Sequence, residues 1–148
     1  MRRSLEAKVY VVIMGCGRVG ARLANLLEAD GHEVLVLDTN PSAFGRLGPD
    51  FRGTTMVGNG IDTEVLRRAG IERADAFAAC TQGDNRNIMA SQIAKVIFNV
   101  PKVATRIYDP IRKDTFAALG LDALSPTTIG AALFFQRLTG QKPPGEEL

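Results

Sequence analysis

Residues 9–20 read VYVVIMGCGRVG, an apolar run that passes directly into three glycines within six positions. A glycine inside regular structure costs about 0.5–1 kcal/mol relative to alanine, so this cluster indicates that something must come close to the backbone. The apolar run itself lacks alternation, which is typical of a strand that is buried on both faces of a parallel sheet. This stretch therefore predicts the central strand of an α/β fold, followed by a glycine-rich turn.

The composition of the chain limits the classes of protein to which it can belong. The chain has 148 residues, 45% of them hydrophobic, which is enough for one domain with a proper core. Its 18 Lys and Arg against 16 Asp and Glu give a net charge of +2, which does not indicate nucleic-acid binding. No apolar run approaches the ~18–20 residues of a membrane-spanning helix, and no signal-peptide pattern is present. Cys16 and Cys80 form neither a metal nor a disulfide pattern, so we expect a cytoplasmic protein.

Strand-like and helix-like segments alternate along the chain. The predicted strands are residues 8–14, 33–37, 51–57, 74–80, 103–106 and 123–124. The predicted helices are residues 18–29, 42–47, 62–69, 85–98, 111–119 and 127–138. This alternation predicts an α/β fold with a doubly wound, parallel, six-stranded Rossmann sheet. We expect residues 1–140 to form that domain and residues 141–148 to be a tail or linker.

The three glycines have the spacing of a dinucleotide-binding turn. Gly15, Gly17 and Gly20 form G-x-G-x-x-G between a predicted strand and a predicted helix. The first permits the tight turn, the second lets a pyrophosphate approach the backbone, and the third lets helix and strand pack closely. Asp38 ends the second predicted strand 18 residues after Gly20, where its carboxylate would accept hydrogen bonds from ribose hydroxyls and repel a 2′-phosphate. The pattern predicts an adenine-nucleotide site that excludes NADP. The alternative is a tight turn that binds no ligand.

Two residues inside the glycine turn carry further expectations. Arg18 lies at the helix start, where a cation is unfavourable for the helix dipole unless an anion bridges it to the free N–H groups. We therefore expect Arg18 to contact a phosphate, with a solvated surface arginine as the alternative. The same helix start is a physical reason for which the thiol pKa of Cys16 could be lowered, so a redox role is left open as the less favoured alternative. A small residue that fits the turn is the favoured interpretation of Cys16.

Beyond the glycine turn, three further segments support a family resemblance. They are VGNGID at 57–62, CTQGDNRNIMASQIAK at 80–95 and RIYDP…LGLDALSP at 106–126. With these segments the chain resembles the nucleotide-binding N-terminal domain, called KTN or RCK, of the regulatory proteins of Trk- and Ktr-type bacterial potassium uptake systems. The resemblance covers about residues 8–139. The family's Thr or Ser after the fourth strand, and its following Asp-x-x-Asn-like segment, are matched by Thr81, Asp84, Asn85 and Asn87.

The resemblance implies a function and a set of site residues. It implies a cytoplasmic protein, peripheral at the inner face of the cell membrane, that binds NAD(H) or an adenine nucleotide (ATP, ADP or AMP). Ligand exchange would gate a membrane potassium transporter or channel. It implies no catalytic or metal-binding residue. The implied cofactor-binding residues are Gly15, Gly17, Arg18, Val19, Gly20, Asp38, Thr39, Asn59, Gly60, Thr81, Asn85 and Arg106.

Within that set, the resemblance places Asn59 and Gly60 near the adenine, and Thr81 and Arg106 at the distal end of the nucleotide. The chain departs from the family at Asn59, where an aspartate is usual, and this leaves the adenine contact open. A C-terminal ligand-binding subdomain, common in the family, does not follow residue 140. We therefore expect either a stand-alone or truncated form, or a chain that was cut at the segment QKPPGEEL at 141–148.

The last predicted helix suggests self-association. Residues 127–138, TTIGAALFFQRL, are apolar nearly all round, and such a helix is expected to be buried on most sides. The resemblance implies a crossover helix that packs on a neighbouring subunit. We therefore expect a homodimer or higher assembly through Thr127–Leu138, with the side of Phe134 and Leu138 at the contact. The alternative is a helix tucked against its own sheet and preceding helix.

One side of the helix predicted at 85–98 is interpreted as a core face. The residues along one side of the helix predicted at 85–98 are expected to pack in the core: Ile88, Met89, Gln92, Ile93, Val96 and Ile97.

An NAD-dependent oxidoreductase is the main alternative function, and a scaffold without ligand is another. His32, the one histidine, lies in a helix–strand turn away from the strand ends where Rossmann ligands bind. Thermal shifts with nucleotides, then nicotinamide absorbance with candidate substrates, separate these functions.

Overall fold

The computed structural model describes residues 7–145, and six parallel strands form its sheet. The strands are β1 Tyr10–Met14, β2 Glu33–Asp38, β3 Thr54–Val57, β4 Ala76–Ala79, β5 Lys102–Arg106 and β6 Asp122–Leu124. The α-helices are α1 Arg18–Ala29, α2 Thr63–Arg68, α3 Asp84–Gln92, α4 Lys113–Ala118 and α5 Pro126–Thr139. The strand order is β3-β2-β1-β4-β5-β6, with every pairing parallel. This order confirms the doubly wound Rossmann sheet.

Shorter helical segments complete the connections. Three 3-10 turns lie at Pro41–Arg46, Ile71–Arg73 and Pro110–Arg112, and a π-helical turn at Ile93–Ile97 continues α3. The 3-10 turn at Pro41–Arg46 lies where a helix is predicted at 42–47. The helix predicted at 85–98 is divided into α3 and the π-helical turn. Residues 1–6 and 146–148 lie outside the described residues, so only part of the predicted tail is described.

The central strand β1 explains why its sequence shows no alternation. Val12 and Met14 pack in one core cluster with Leu37 and Phe77, on the side of the sheet where α2 and α3 lie. Val11 and Ile13 belong to a second cluster, which includes residues of α1 and β2. Because both faces are covered, all five residues of β1 are buried. An apolar side chain is therefore favoured at every position.

Local end signals agree with the observed helices. α1 begins at Arg18 and ends at Ala29, and the chain leaves it through Gly31, whose φ of +88° favours glycine. The side chain of Asp62 caps α2 by accepting a hydrogen bond from the N–H of Glu64 at 2.9 Å. The predicted bounds of both helices hold to within a residue because these signals lie in the local sequence.

The predicted core stripe on α3 is confirmed at Ile88 and Ile93, which are partly buried against core clusters, and is wrong at three other positions. Met89, Val96 and Ile97 are 54%, 66% and 55% exposed. The buried face of α3 and the π-helical turn instead consists of small and polar residues: Asn87, Ala90, Ser91 and Ala94. Small side chains let the helix approach β4 and β5, and the hydroxyl of Thr105 on β5 donates to that of Ser91 at 2.7 Å. Close packing with hydrogen bonds decides this face, not hydrophobicity.

The last helix is poorly covered by its own chain. Ser125 caps α5 by accepting from the N–H of Thr128 at 3.2 Å, and the helix then runs to Thr139. Its one buried residue is Ala132, while Phe134 and Leu138 are 73% and 84% exposed. The alternative of a helix tucked against its own sheet is therefore wrong. Within residues 7–145, none of the helices has the combined length and apolar character that a membrane crossing requires.

Candidate functional site

A cleft of about 510 Å³ opens at the carboxyl ends of the strands. It lies where β1 is flanked by β2 on one side and β4 on the other, so the winding direction of the chain reverses at this point. Ligands of open α/β sheets bind at such a switch point. The cleft volume also falls within the range of small-molecule sites. The predicted site residues that line it are Gly15, Gly17, Arg18, Asp38, Thr39, Asn59, Gly60, Thr81 and Arg106.

The three glycines of the turn differ in what surrounds them. Gly15 has a φ of +104°, and its N–H donates to the carbonyl of Leu37 at 2.7 Å. A Cβ on Gly20 would lie 1.8 Å from the carbonyl oxygen of Gly15, so this glycine serves helix–strand packing and does not line the cleft. A Cβ on Gly17 would meet no atom within 4 Å. Gly17 therefore leaves open space at the start of α1, beside the free helical N–H groups.

Asp38 connects the glycine turn to the end of β2. One carboxylate oxygen accepts from the N–H of Cys16 at 2.8 Å, and the other accepts from the N–H of Asn40 at 2.8 Å. Each oxygen of a carboxylate accepts more than one hydrogen bond, so capacity for ribose hydroxyls remains. Asp38 also faces the cleft. The backbone contact with Cys16 was not predicted, because it joins residues that are far apart in sequence.

The less favoured alternative for Cys16, a thiol activated by the helix start, is wrong. Burial raises the pKa of the Cys16 thiol, and the nearby carboxylate of Asp38 raises it further, against a smaller opposing effect of Arg46. Burial also raises the pKa of Cys80 to about 11, with Arg106 opposing it. Both thiols therefore stay protonated at neutral pH and are poor nucleophiles. The structure favours the interpretation of Cys16 as a small residue that fits the turn.

A fully buried amide holds the ends of β4 and β5 together. The Asn87 side-chain oxygen accepts from the N–H and the hydroxyl of Thr81, at 3.1 and 2.6 Å. The Asn87 amide nitrogen donates to the carbonyls of Thr81 and Arg106, at 2.9 and 3.0 Å. Asn87 thus positions two residues that line the cleft. The family pattern around 84–87 contained this asparagine, but the sequence did not single it out as a site residue.

Besides Gly20, two predicted site residues, Val19 and Asn85, lie outside the cleft lining. Asn85 is exposed, and its side-chain oxygen accepts from Arg112 at 3.0 Å. Val19 packs against the core cluster beneath α1. Next to Asn85, the carboxylate of Asp84 accepts from the N–H groups of Tyr108 and Asp109, at 2.7 and 3.2 Å. Asp84 therefore fastens the loop that follows β5 to the first turn of α3.

Asn59 and Gly60, which the resemblance places near the adenine, make close contacts within the protein. The side chain of Asn59 turns back on its own loop, where its oxygen accepts from the N–H of Ile61 at 3.2 Å. Gly60 is buried, and a Cβ there would lie 2.2 Å from the sulfur of Met14. Gly60 therefore lets the loop after β3 come close to the end of β1, and both residues remain at the edge of the cleft.

The cleft is strongly electropositive. Four arginines line it, Arg18, Arg46, Arg86 and Arg106, against one carboxylate, that of Asp38. Arg46 donates to the carbonyl of Cys16 at 3.3 Å. Neither Arg46 nor Arg86 is predicted from the sequence, because each comes from a different element that only the fold brings to the cleft. Such a site attracts anionic ligands such as phosphates.

His32 lies at the opposite end of the sheet. Its Nδ1 accepts from the N–H of Val9 at 3.2 Å, and its Nε2 is 3.0 Å from a carboxylate oxygen of Asp30. These contacts join the start of β2 to the residue before β1. The contacts of His32 are therefore structural, and His32 is not among the residues that line the cleft.

Comparison with known proteins gives a family and several relatives. The family model of the TrkA-N domain matches residues 11–126. The Trk system potassium uptake protein TrkA of Streptomyces coelicolor is 46% identical over 139 residues, covering 94% of this chain and 61% of that protein. A TrkA homolog of Methanothermobacter thermautotrophicus is 33% identical over 135 residues, covering 90% of this chain and 62% of the homolog. The chain thus spans about three fifths of the length of these curated relatives.

Solved structures share the same fold. The TrkA-N domain of the inner membrane protein ybaL from Escherichia coli has a TM-score of 0.77 at 16% identity, covering 90% of this chain and 99% of that one. The GsuK channel bound to NAD has a TM-score of 0.76 at 22% identity, covering 93% of this chain and 24% of that one. A structure described as GsuK bound to ADP has a TM-score of 0.74 at 22% identity, covering 89% of this chain and 34% of that one. At these identities the likeness demonstrates the architecture.

Proposed function

The chain belongs to the TrkA-N domain family, and from this premise we propose that it is a nucleotide-sensing regulatory module of a potassium transport system. The observation that carries the proposal is the cleft at the switch point of the sheet, which both Gly17 and Asp38 line. The names of its relatives, potassium uptake proteins of Trk systems, support the potassium pathway. In this proposal ligand exchange in the cleft changes domain packing and gates a membrane potassium transporter or channel.

The proposed ligand is NAD(H) or an adenine nucleotide, ATP, ADP or AMP. The open space beside Gly17 at the start of α1 suits a phosphate, and Asp38 faces the cleft where a ribose would lie. The GsuK structures bound to NAD and to ADP support both ligand types for this architecture. NADP is excluded in the proposal, because its 2′-phosphate would meet the carboxylate of Asp38.

The test is a calorimetric titration of the purified protein with AMP, ADP, NAD⁺ and NADP⁺. We expect one nucleotide per chain for the ligands that carry a free 2′-hydroxyl. NADP⁺ is expected to bind at least about tenfold more weakly than NAD⁺, because its extra phosphate replaces a hydrogen bond to a charged acceptor by repulsion. Absence of heat with all four ligands would contradict the proposal. Equal affinity for NAD⁺ and NADP⁺ would contradict only the role of Asp38.

We also propose where in the cell the protein acts and which partner it has. The protein would be cytoplasmic and peripheral at the inner face of the cell membrane, where its partner is a membrane potassium transporter or channel subunit. It would neither bind nucleic acid nor insert into the membrane. In the proposed division, residues 1–140 form the nucleotide-binding domain and residues 141–148 are a tail or linker. The end of α5 at Thr139, followed by Gly140 with a φ of +73°, supports that boundary.

The module is proposed to regulate without catalysis. Both thiols near the cleft have raised pKa values, so neither supplies a thiolate at neutral pH. The histidine at the other end of the sheet does not face the cleft. The names of the relatives describe uptake proteins, which fits a regulatory role. These observations favour a nucleotide sensor over an NAD-dependent oxidoreductase.

A homodimer or higher assembly through α5 is part of the same proposal. The exposed side chains of Phe134 and Leu138 form one apolar side of the helix. A second, mainly apolar cleft of about 590 Å³ lies beside α1 over the strands, where Val11, Leu27 and Ala104 are among the residues that line it. An apolar helix and an apolar cleft on one chain are complementary surfaces for two copies.

Replacing both Phe134 and Leu138 by Glu is expected to convert the assembly into a folded monomer, because two charges would have to be buried at the contact. Light scattering at tens of micromolar measures the mass. Thermal unfolding serves as the folding control, since both side chains are exposed within one chain. A monomeric wild type, or a double variant that still dimerises, would disprove the contact.

A further inference from the structure

His32 connects two parts of the chain that border the second, mainly apolar cleft. Its side chain contacts the backbone of Val9, just before β1, and its backbone N–H donates to the carbonyl of Leu27, in the last turn of α1, at 3.0 Å. Val9 and Leu27 both line the second cleft, where α5 of another copy is proposed to lie. The turn around His32 therefore holds one wall of this cleft together.

The contact with Val9 takes the place of a strand hydrogen bond. The pairing of β1 with β2 begins at Tyr10 and Glu33, so the N–H of Val9 lies just outside the ladder. It donates to Nδ1 of His32 at 3.2 Å, while the carbonyl of Val9 accepts from the N–H of Glu33 at 3.0 Å. The imidazole thus extends the join between the two strands by one hydrogen bond, and only 18% of its side chain is exposed.

This hydrogen bond requires a neutral ring in one tautomer. Nδ1 accepts only when it carries no proton, so the proton of the neutral ring lies on Nε2, which is 3.0 Å from a carboxylate oxygen of Asp30. When the ring gains a second proton, both nitrogens are donors, and the Nδ1–H would point at the N–H of Val9. The two groups must then separate. Histidine is the side chain that ordinarily changes charge between about pH 5 and pH 8.

The charged groups around the turn leave this consequence unchanged. The charged side chains on the segments that meet here are Lys8, Glu28, Asp30, Glu33, Arg73 and Asp75. Glu33 and Arg73 form an ion pair at 2.9 Å, and Asp75 accepts from the N–H of Tyr10 at 2.7 Å. Asp30 contacts the ring on its Nε2 side, which carries a hydrogen in both the neutral and the protonated form. Protonation therefore preserves the contact with Asp30 and removes the one on the Nδ1 side.

We propose, on the basis of the assembly proposed above, that His32 is a pH-dependent tie whose protonation loosens the wall of the second cleft and weakens the binding of α5 from another copy. While the ring is neutral, the hydrogen bond from Val9 to His32 is intact. As the pH falls and the ring gains its proton, this hydrogen bond is lost. Acidification therefore favours the separated chains.

NMR of the wild type tests the tie itself. His32 is the one histidine of the chain, so its ring nitrogen signals are unambiguous. At about pH 8 we expect an unprotonated Nδ1 and a protonated Nε2, and at about pH 5.5 a lower protection factor for hydrogen exchange at the N–H of Val9. A protonated Nδ1 at the higher pH, or an unchanged protection factor, would overturn the inference whether or not the chain assembles.

Sedimentation of the wild type and of His32→Asn tests the effect on assembly. Asparagine has an acceptor oxygen at the branch position of Nδ1 but does not titrate. We expect the dimer Kd of the wild type to be at least about threefold higher at about pH 5.5 than at about pH 8, as for the loss of one ordinary hydrogen bond. The Kd of His32→Asn is expected to be equal at the two pH values. Thermal unfolding at the higher pH verifies that the variant is folded, and the NMR measurement tests the tie without it.

The outcomes separate this inference from the assembly on which it rests. A wild type that is monomeric at both pH values would overturn the assembly through α5 and this inference with it. A dimer whose Kd does not change with pH would overturn the inference alone. So would a pH dependence that survives in His32→Asn.

Discussion

Gly17→Val is expected to abolish nucleotide binding while the protein still unfolds in a single cooperative transition. A Cβ at Gly17 meets no protein atom within 4 Å, so the fold accommodates the new side chain. The same empty space is where the phosphates would approach the start of α1, and two methyl groups would occupy it. Calorimetry with ADP measures the binding, and thermal unfolding without ligand measures the stability.

Gly20→Ala is the matched control for this prediction. Its Cβ would lie 1.8 Å from the carbonyl oxygen of Gly15, which belongs to backbone and has no room to move. The free energy of unfolding is expected to fall by at least about 3 kcal/mol, the upper range for overpacking. Two glycines of one motif thus separate binding from folding. Normal ADP binding by Gly17→Val would show that the phosphates do not lie on this turn.

Asp38→Ala is expected to weaken binding of ADP by at least about 1.5 kcal/mol, roughly tenfold in Kd, because hydrogen bonds to a charged acceptor are lost. It should also lower stability without ligand, since the N–H groups of Cys16 and Asn40 lose their acceptors. Calorimetry and thermal unfolding record the two effects separately. An unchanged ADP affinity would disprove the ribose role.

Asp38→Asn provides the matched comparison for the charge. The amide has nearly the same shape but keeps only one acceptor oxygen and loses the negative charge. We expect it to bind NADP⁺ relatively better than the wild type does, because the repulsion of the 2′-phosphate is gone. If Asp38→Ala and Asp38→Asn lower stability but leave the ADP affinity intact, Asp38 only holds the glycine turn.

The sequence predicted the fold and the glycine side of the cleft well because their signals are local. The strand before Gly15 and the bounds of α1 and α2 each depend on residues within a few positions of one another. The family resemblance, not the local signals, implied that Thr81 and Arg106 lie at the distal end of the nucleotide. Both of them line the cleft.

What the sequence did not predict depends on contacts between distant elements. The most buried positions of α3 carry small and polar residues, and hydrophobicity alone places Met89 in the core although it is exposed. Arg46 and Arg86 reach the cleft from two different connections, and neither position has a local signal. Burial and the carboxylate of Asp38 raise the thiol pKa of Cys16, and both depend on contacts that the local sequence does not show.

The hydrogen bonding of Asn87 limits which side chains this position tolerates. Its oxygen accepts from Thr81, while its nitrogen donates to two backbone carbonyls, those of Thr81 and Arg106. Aspartate would place a second acceptor against those carbonyls, and leucine would leave every one of these buried groups unpaired. Glutamine has the right chemistry but is one methylene too long for a fully enclosed site. Mutational scanning of α3 would therefore find free variation at Met89, on its exposed side, and near intolerance two residues earlier.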